Sequence, residues 1–178
     1  MPAPLYRREF ALDGRVREAT LRICGIGYYV ARINGKRVGD HVLDPAPTQY
    51  DRRVRYVTYD VTDLVKSGSN AIGVTLGTGW YNGHTVEFWN LDRATWRDFP
   101  KLTLELTVRF RTGKPFRLVS DTSWRVAEGP VRFDGLRNGE HYDARAERPG
   151  WDLPGYDDHA WEQAVLVPGP GGTLETQL

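Results

Sequence analysis

Short segments in which apolar and polar residues alternate recur along most of this chain. The clearest is LTLELTVRF at residues 102–110, and a second covers residues 18–24. A period of two places the apolar side chains on one face of an extended segment, which predicts β-strands with one buried face. Further candidate strands cover residues 5–12, 28–33, 36–42, 53–60, 71–76, 116–120, 124–127, 131–133, 140–145 and 163–167.

Turn signals separate these segments. Asn34-Gly35 lies between two candidate strands and favours a type I′ hairpin turn, because both central residues of that turn need positive φ. The chain holds 19 glycines and 11 prolines, and only residues 60–65 suggest a helical turn. About ten short strands separated by turns predict an all-β fold, a jelly-roll β-sandwich, with a β-barrel as the alternative.

Composition limits the classes of partner. The 178 residues suit one domain, and a net charge of +1 gives no field that would attract nucleic acid or an anionic membrane. No apolar run reaches transmembrane length, and the first residues lack a signal-peptide segment, so the compartment stays open. Cys24 is a single cysteine in a strand pattern, so we expect it to be buried and inert. PGPGG at 168–172 predicts a domain over residues 1–167 and a linker over 168–178 toward a downstream domain.

A long aromatic loop follows the candidate strand at residues 71–76. Gly77 and Gly79 precede it, and it carries Trp80, Tyr81, Asn82 and Trp89. Long loops tend to be functional. Aromatic rings stack on the C–H face of a sugar while polar neighbours bind its hydroxyls, so the loop predicts carbohydrate binding. The alternative is that these rings close one end of the sandwich core.

The residues favour no catalytic centre. The four histidines are scattered, with no HxH or HExxH, and there is no Gly-x-Ser-x-Gly. Gly77-Thr78-Gly79 follows a strand but precedes no helix, which argues against a dinucleotide site. Carboxylates are plentiful, yet nothing singles out a glycosidase pair. Asp40 and Asp44 flank a strand-to-loop junction and are candidate calcium ligands, with capping and turn roles as the alternative.

Several longer stretches resemble one family. They are INGKRVGDHVLDP at 33–45, YVTYDVTDL at 56–64, NAIGV at 70–74, GWYN at 79–82, GEHYDAR at 139–145, PGW at 149–151 and GYDDHAW at 155–161. In this order, over nearly the whole chain, they resemble the N-terminal domain of bacterial α-L-rhamnosidases. The resemblance implies a galactose-binding-like jelly roll that precedes a catalytic (α/α)6 barrel. The chain is too short to hold that barrel, so we expect a non-catalytic accessory domain that hydrolyses nothing alone.

The resemblance also implies a ligand. Some members bind rhamnose through a calcium ion held by an acidic and an amide side chain. The acidic position corresponds to Asp40, but His41 stands where the amide is expected, and imidazole is a poor calcium ligand. The predicted ligand-binding residues are Trp80, Tyr81, Asn82, Trp89, Asp40 and His41, with Asp40 and Asp44 as the candidate calcium site.

Two classes of function follow. The first is a carbohydrate-binding module for terminal L-rhamnose or related plant-type glycans. The second is a structural domain that packs on the catalytic barrel, without sugar affinity, through exposed aromatics. A further alternative is that the loop completes the rim of the barrel's active site.

Overall fold

The computed structural model describes residues 2–84, 90 and 93–177. Thirteen strands lie in these ranges: β1 Pro4–Leu12, β2 Val16–Ile26, β3 Tyr28–Ile33, β4 Lys36–Arg37, β5 Arg53–Asp60, β6 Gly68–Gly77, β7 Lys101–Phe110, β8 Phe116–Val119, β9 Arg125–Glu128, β10 Val131–Gly135, β11 Gly139–Tyr142, β12 Glu162–Gln163 and β13 Thr173–Thr176. Short 3-10 turns occupy Thr62–Leu64 and Ala144–Ala146. No helix in the described ranges is long and apolar enough to cross a membrane.

The strands form two large sheets and a separate hairpin. One sheet has six strands in the order β12-β9-β1-β6-β3-β4, and the other has five in the order β13-β5-β2-β7-β8. β10 and β11 pair only with each other. Within the sheets every pairing is antiparallel except that of β13 with β5, which is parallel.

The main core lies between the two large sheets. From the five-stranded sheet, Leu21 and Leu106 are fully buried, and Ile72 and Val74 are fully buried in the six-stranded sheet. Alternate residues of these strands point to the opposite, outer faces. The chain is therefore an all-β jelly-roll sandwich, as the alternation predicts, and it agrees with the galactose-binding-like fold that the family resemblance implies.

Several predicted elements are confirmed, and one is too long. β3 and β5 have the predicted bounds, and Asn34 and Gly35 both have positive φ, at 51° and 79°, as the predicted turn requires. The predicted strand over residues 36–42 instead ends at Arg37. Gly39 and Leu43 have positive φ, at 63° and 59°, which ends the extended backbone there.

The C-terminal segment also differs from expectation. The strand predicted at residues 163–167 is reduced to Glu162–Gln163, and the next apolar residues, Val165 to Val167, are exposed. Within the predicted linker, Thr173–Thr176 forms β13 against the edge of β5. All four residues of β13 are exposed, so no apolar alternation marks this strand in the sequence. A domain boundary toward a downstream domain stays a prediction.

Candidate functional site

The outer face of the six-stranded sheet is only partly covered. The segment 148–161 packs over its middle, and Arg7 of β1 holds this segment. The Arg7 side chain is 1% exposed, donates hydrogen bonds to the carbonyls of Trp151 and Leu153, and pairs with Asp158. These contacts fix the segment to the sheet and leave the end of the face near Tyr28 open.

A groove of about 530 Å³ occupies this open end. Its floor consists of outward-facing residues of β3 and β6, namely Tyr28, Val30, Thr75 and Gly77. Val30 is 36% exposed. The groove is therefore concave and largely apolar at its base, with the size and character of a small-molecule site.

The β10–β11 hairpin forms one wall of the groove. It contributes Asp134, Leu136 and Glu140 to the lining. The hairpin is attached to the end of β6 by Asp134, whose Oδ1 accepts hydrogen bonds from the Thr78 backbone N–H at 2.7 Å and from Thr78 Oγ1 at 2.5 Å. A carboxylate with two such donors is well fixed.

The opposite wall is the loop after β4, with Arg37, Val42 and Leu43 in the lining. Val42 and Leu43 are strongly exposed, at 70% and 60%. Arg37 donates from its guanidinium to the His41 carbonyl oxygen at 2.7 Å. This loop is the one that carries the predicted residues Asp40, His41 and Asp44, so they lie beside the groove.

Asp44 is held by three side chains. The 2.7 Å contact with His41 Nδ1 and the 3.1 Å hydrogen bond from Tyr59 Oη reach Asp44 Oδ2, and Gln177 Nε2 donates to Oδ1 at 2.9 Å. Asp44 is 8% exposed, whereas Asp40 and His41 are exposed. Asp44 therefore organises the loop internally and ties it to the residue that follows β13.

Calcium has limited support from these residues. The described part of the chain holds no group of three His, Cys, Asp or Glu side chains that could bind a metal ion. Both oxygens of Asp44 already have protein partners, which leaves Asp40 as the exposed carboxylate. A calcium ion at Asp40 would need amide or backbone carbonyl oxygens for its remaining ligands. Calcium stays a prediction.

Trp80 lies at the edge of the groove. Its side chain is 38% exposed and hydrogen-bonds to Tyr28 on the floor. Burial raises the pKa of Tyr28, and the bond from Trp80 opposes that shift. The loop leaves β6 through Gly79, where a Cβ would lie 2.1 Å from the Gly27 carbonyl oxygen, so only glycine fits.

The other predicted loop residues are placed differently. Tyr81 is fully buried, with its ring 5.1 Å from that of Tyr50 and 5.9 Å from that of Trp96. Asn82 is partly buried, and its Oδ1 accepts a hydrogen bond from Arg97 Nε at 3.1 Å. A buried ring presents no free face to a ligand, so Tyr81 serves a second, smaller core in this structure. Trp89 lies outside the described residues.

Sequence reasoning did not select the floor of the groove. The alternation in YYVARI places Tyr28 and Val30 on the face opposite Tyr29 and Ala31, and the structure confirms that arrangement. The signal was therefore an apolar pair on the predicted outer face of a strand. The wall formed by the hairpin depends on the contact between Asp134 and Thr78, which are 56 residues apart. No local sequence pattern predicts this contact.

These features define a jelly-roll domain of the galactose-binding-like class with an open groove on the outer face of one sheet. The lectin of Pleurotus ostreatus has the same fold, with a TM-score of 0.63 at 14% identity. Residues 14–178 match the family model of the α-L-rhamnosidase N-terminal domain. The chain belongs to this family.

Similar proteins agree over nearly the whole chain. An α-L-rhamnosidase of Formosa agariphila is 39% identical over 89% of this chain, which spans 17% of that protein. The solved α-L-rhamnosidase of Dictyoglumus thermophilum matches 99% of the chain at 40% identity with a TM-score of 0.90, over 19% of its own length. The Streptomyces avermitilis α-L-rhamnosidase solved with L-rhamnose matches 96% of the chain at 37% identity with a TM-score of 0.89, over 16% of its own length. The chain thus spans less than a fifth of each relative.

Proposed function

We propose that this chain is a non-catalytic accessory domain of an α-L-rhamnosidase and binds terminal L-rhamnose or a related plant-type glycan. The observation that carries the proposal is the open groove with an apolar floor of Tyr28 and Val30 and a charged rim. A pyranose has the matching chemistry, since its C–H faces pack on apolar side chains and its hydroxyls bind charged and polar groups.

The rim supplies donors and acceptors for sugar hydroxyls. Arg37 lies on one wall and Glu140 on the other, and an arginine carries five N–H donors while a carboxylate only accepts. The Streptomyces avermitilis relative was solved in complex with L-rhamnose, which supports rhamnose as the first sugar to test. Calcium bound at Asp40 would add a group that coordinates vicinal hydroxyls.

The direct test is calorimetric titration of the chain with L-rhamnose, first with calcium and then with chelator. Val30→Lys places a charged chain on the floor and should abolish binding. Val165→Lys is the matched control, because Val165 is 77% exposed and does not line the groove. Binding that survives chelation would remove calcium from the proposal. Failure of the parent chain to bind in either condition would contradict sugar binding itself.

The accessory role also predicts no catalysis by this chain alone. The chain spans 17% and 19% of two α-L-rhamnosidase relatives, and the resemblance implies that the reacting groups lie in a separate barrel. We expect no release of nitrophenol from an aryl α-L-rhamnoside at high chain concentration. Measurable turnover that persists through purification and is lost in a chain variant would contradict this expectation.

A second candidate function is a structural domain that packs on the catalytic barrel. The observation that favours it is the run Val165, Leu166 and Val167, which is 77%, 75% and 54% exposed. Three consecutive exposed aliphatic side chains are typical of a surface that another domain covers. If the chain is stable, has no sugar affinity and self-associates through Val165–Val167, this function is favoured over the first.

A further inference from the structure

A second cavity of about 310 Å³ lies on the same face of the six-stranded sheet. The sheet contributes Leu5 and Arg32 to its lining, and the hairpin and the residues that follow it contribute Tyr142, Glu147, Arg148 and Asp152. None of these residues lines the groove described above. The cavity is therefore a separate recess and not an extension of the same lining.

The two recesses are nonetheless neighbours. Val30 lines the first and Arg32 the second, and residues two apart on a strand share a face at a spacing of about 7 Å. On the hairpin side, the consecutive residues Pro130 and Val131 also divide between the two linings, with Val131 in the first recess and Pro130 in the second. A step of this size is comparable with one pyranose ring, so a ligand in the first recess has its next unit at the second.

The second recess carries an exposed aromatic ring in a fixed position. Tyr142 is 53% exposed, and its hydroxyl donates to Glu147 Oε1 at 2.6 Å. Its backbone pairs with Val131 in the hairpin. An exposed ring that is held at both ends can stack on a sugar at a small entropic cost.

The polar groups around this ring are balanced in charge. Arg32 and Arg148 supply guanidinium donors, and Glu147 and Asp152 supply carboxylate acceptors. Arg32 Nε lies 3.9 Å from Asp152 Oδ2, and the Arg32 side chain is 41% exposed. Two positive and two negative groups favour a neutral ligand that offers both donors and acceptors, as sugar hydroxyls do.

We infer that the second recess is a subsite for the sugar that follows the terminal rhamnose, so that the domain recognises a neutral rhamnosyl disaccharide or longer glycan. This inference rests on the proposed function of the first groove. In it, Tyr142 is the stacking residue, and Arg32, Glu147 and Asp152 bind hydroxyls of the second sugar.

The test compares two ligands by calorimetry: methyl α-L-rhamnopyranoside and an α-L-rhamnosyl-glucose disaccharide. The parent chain should bind the disaccharide about tenfold more tightly, which corresponds to one good aromatic contact with its hydrogen bonds. Tyr142→Ala should remove that difference and leave the monosaccharide affinity unchanged. Tyr142→Phe keeps the ring and should retain most of the difference, and Phe99→Ala, at an exposed ring outside both recesses, should change neither affinity.

A second measurement needs no variant. In NMR spectra of the parent chain, the disaccharide should shift the Arg32 amide and the Trp151 indole signals, whereas the monosaccharide should not. Equal affinity for both ligands without these shifts would overturn the second subsite and leave the proposed function standing. Absence of binding by either ligand would overturn the proposed function and the subsite together.

Discussion

Trp80 and Tyr81 are neighbours in the chain but have different surroundings. Trp80 is 38% exposed beside the groove, and Tyr81 is fully buried against Tyr50 and Trp96. We expect Tyr81→Ala to lower the free energy of unfolding by about 3–5 kcal/mol, as for other buried aromatic residues. Trp80→Ala should cost about 1–2 kcal/mol but should weaken sugar binding, because it removes the partner of Tyr28. Urea denaturation and calorimetry of both variants test this contrast.

The reverse pattern would contradict this assignment. If Trp80→Ala proved as destabilising as Tyr81→Ala, Trp80 would belong to the core and not to the site. If Trp80→Ala left sugar affinity unchanged, Trp80 would have no part in positioning Tyr28.

The buried thiol of Cys24 gives a prediction about pH. Burial raises its pKa from 9.0 to about 12, and burial also raises the pKa values of Tyr29 and Tyr50. Above about pH 9 the unfolded chain loses protons that the folded chain retains, so stability is complete below this pH and falls as the pH rises. For Cys24 alone the loss is at most about 1.4 kcal/mol per pH unit.

Urea denaturation at several pH values between about 7 and 11, at constant ionic strength, measures this loss. In the Cys24→Ala variant the free energy of unfolding should decline less steeply with pH, because only the tyrosines then have pKa values that differ between the folded and unfolded chain. An equally steep decline in the parent chain and in Cys24→Ala would show that the thiol is accessible in the folded chain.

The sequence predicts single residues well only where their role is local. Asn34 and Gly35 satisfy the turn that their own backbone requires. Asn70, by contrast, lies just outside the predicted strand over residues 71–76, yet it is fully buried in β6 and hydrogen-bonds to Asn34 and to the backbone of Lys66. The contact with Asn34 joins residues 36 apart. The structural role of Asn70 therefore depends on the assembly of the strands and has no local signal.

At the scale of elements, the β10–β11 hairpin is attached beside the large sheets by the Asp134–Thr78 contact and by a hydrogen bond from the Ala3 N–H to the Val131 carbonyl oxygen at 2.8 Å. It belongs to neither sheet, and Asp134 links it to Thr78. We expect Asp134→Ala to increase amide hydrogen exchange across residues 131–142, because the hairpin loses its anchor, while the core strands retain their protection. Hydrogen exchange followed by mass spectrometry is the measurement.

Glu140→Ala is the matched control for this experiment. Glu140 is exposed on the same hairpin, and its backbone pairs with Asp134. The control should leave exchange of the hairpin unchanged. Equal exchange in the Asp134→Ala variant and the parent chain would show that strand pairing and backbone contacts, such as that of Val131 with Ala3, hold the hairpin without the Asp134 carboxylate.

Elements were predictable where alternation was present and not where backbone pairing alone decides. β3, β5 and β7 bury one face and were found within a residue of their bounds. β13 buries no residue and lies in the predicted linker. Its pairing with β5 brings Gln177 to Asp44 and to the Ala46 amide, which no local pattern could reveal.

At the scale of the whole molecule, the two faces of the six-stranded sheet explain the arrangement of the candidate site. The inner face forms the core, and the outer face is covered at its centre by the segment that Arg7 holds. This cover leaves two adjacent recesses on one side of the sheet. The alternation predicted the two faces, but the position of the cover depends on contacts such as that between Arg7 and Trp151, 144 residues apart.

The exposed run Val165–Val167 gives a prediction about assembly. Its three aliphatic side chains are more than half exposed. If this run packs on another domain in a longer protein, the chain alone should self-associate through it as concentration rises, since apolar surface is then buried between copies. Leu166→Glu should suppress that association without loss of stability, because Leu166 is 75% exposed.

Sedimentation velocity over a concentration series measures the effect, with Val42→Glu, at a strongly exposed residue of the groove wall, as the matched control. A parent chain that stays monomeric at the highest concentration, or one whose association responds to Val42→Glu instead, would show that the run is not an interface.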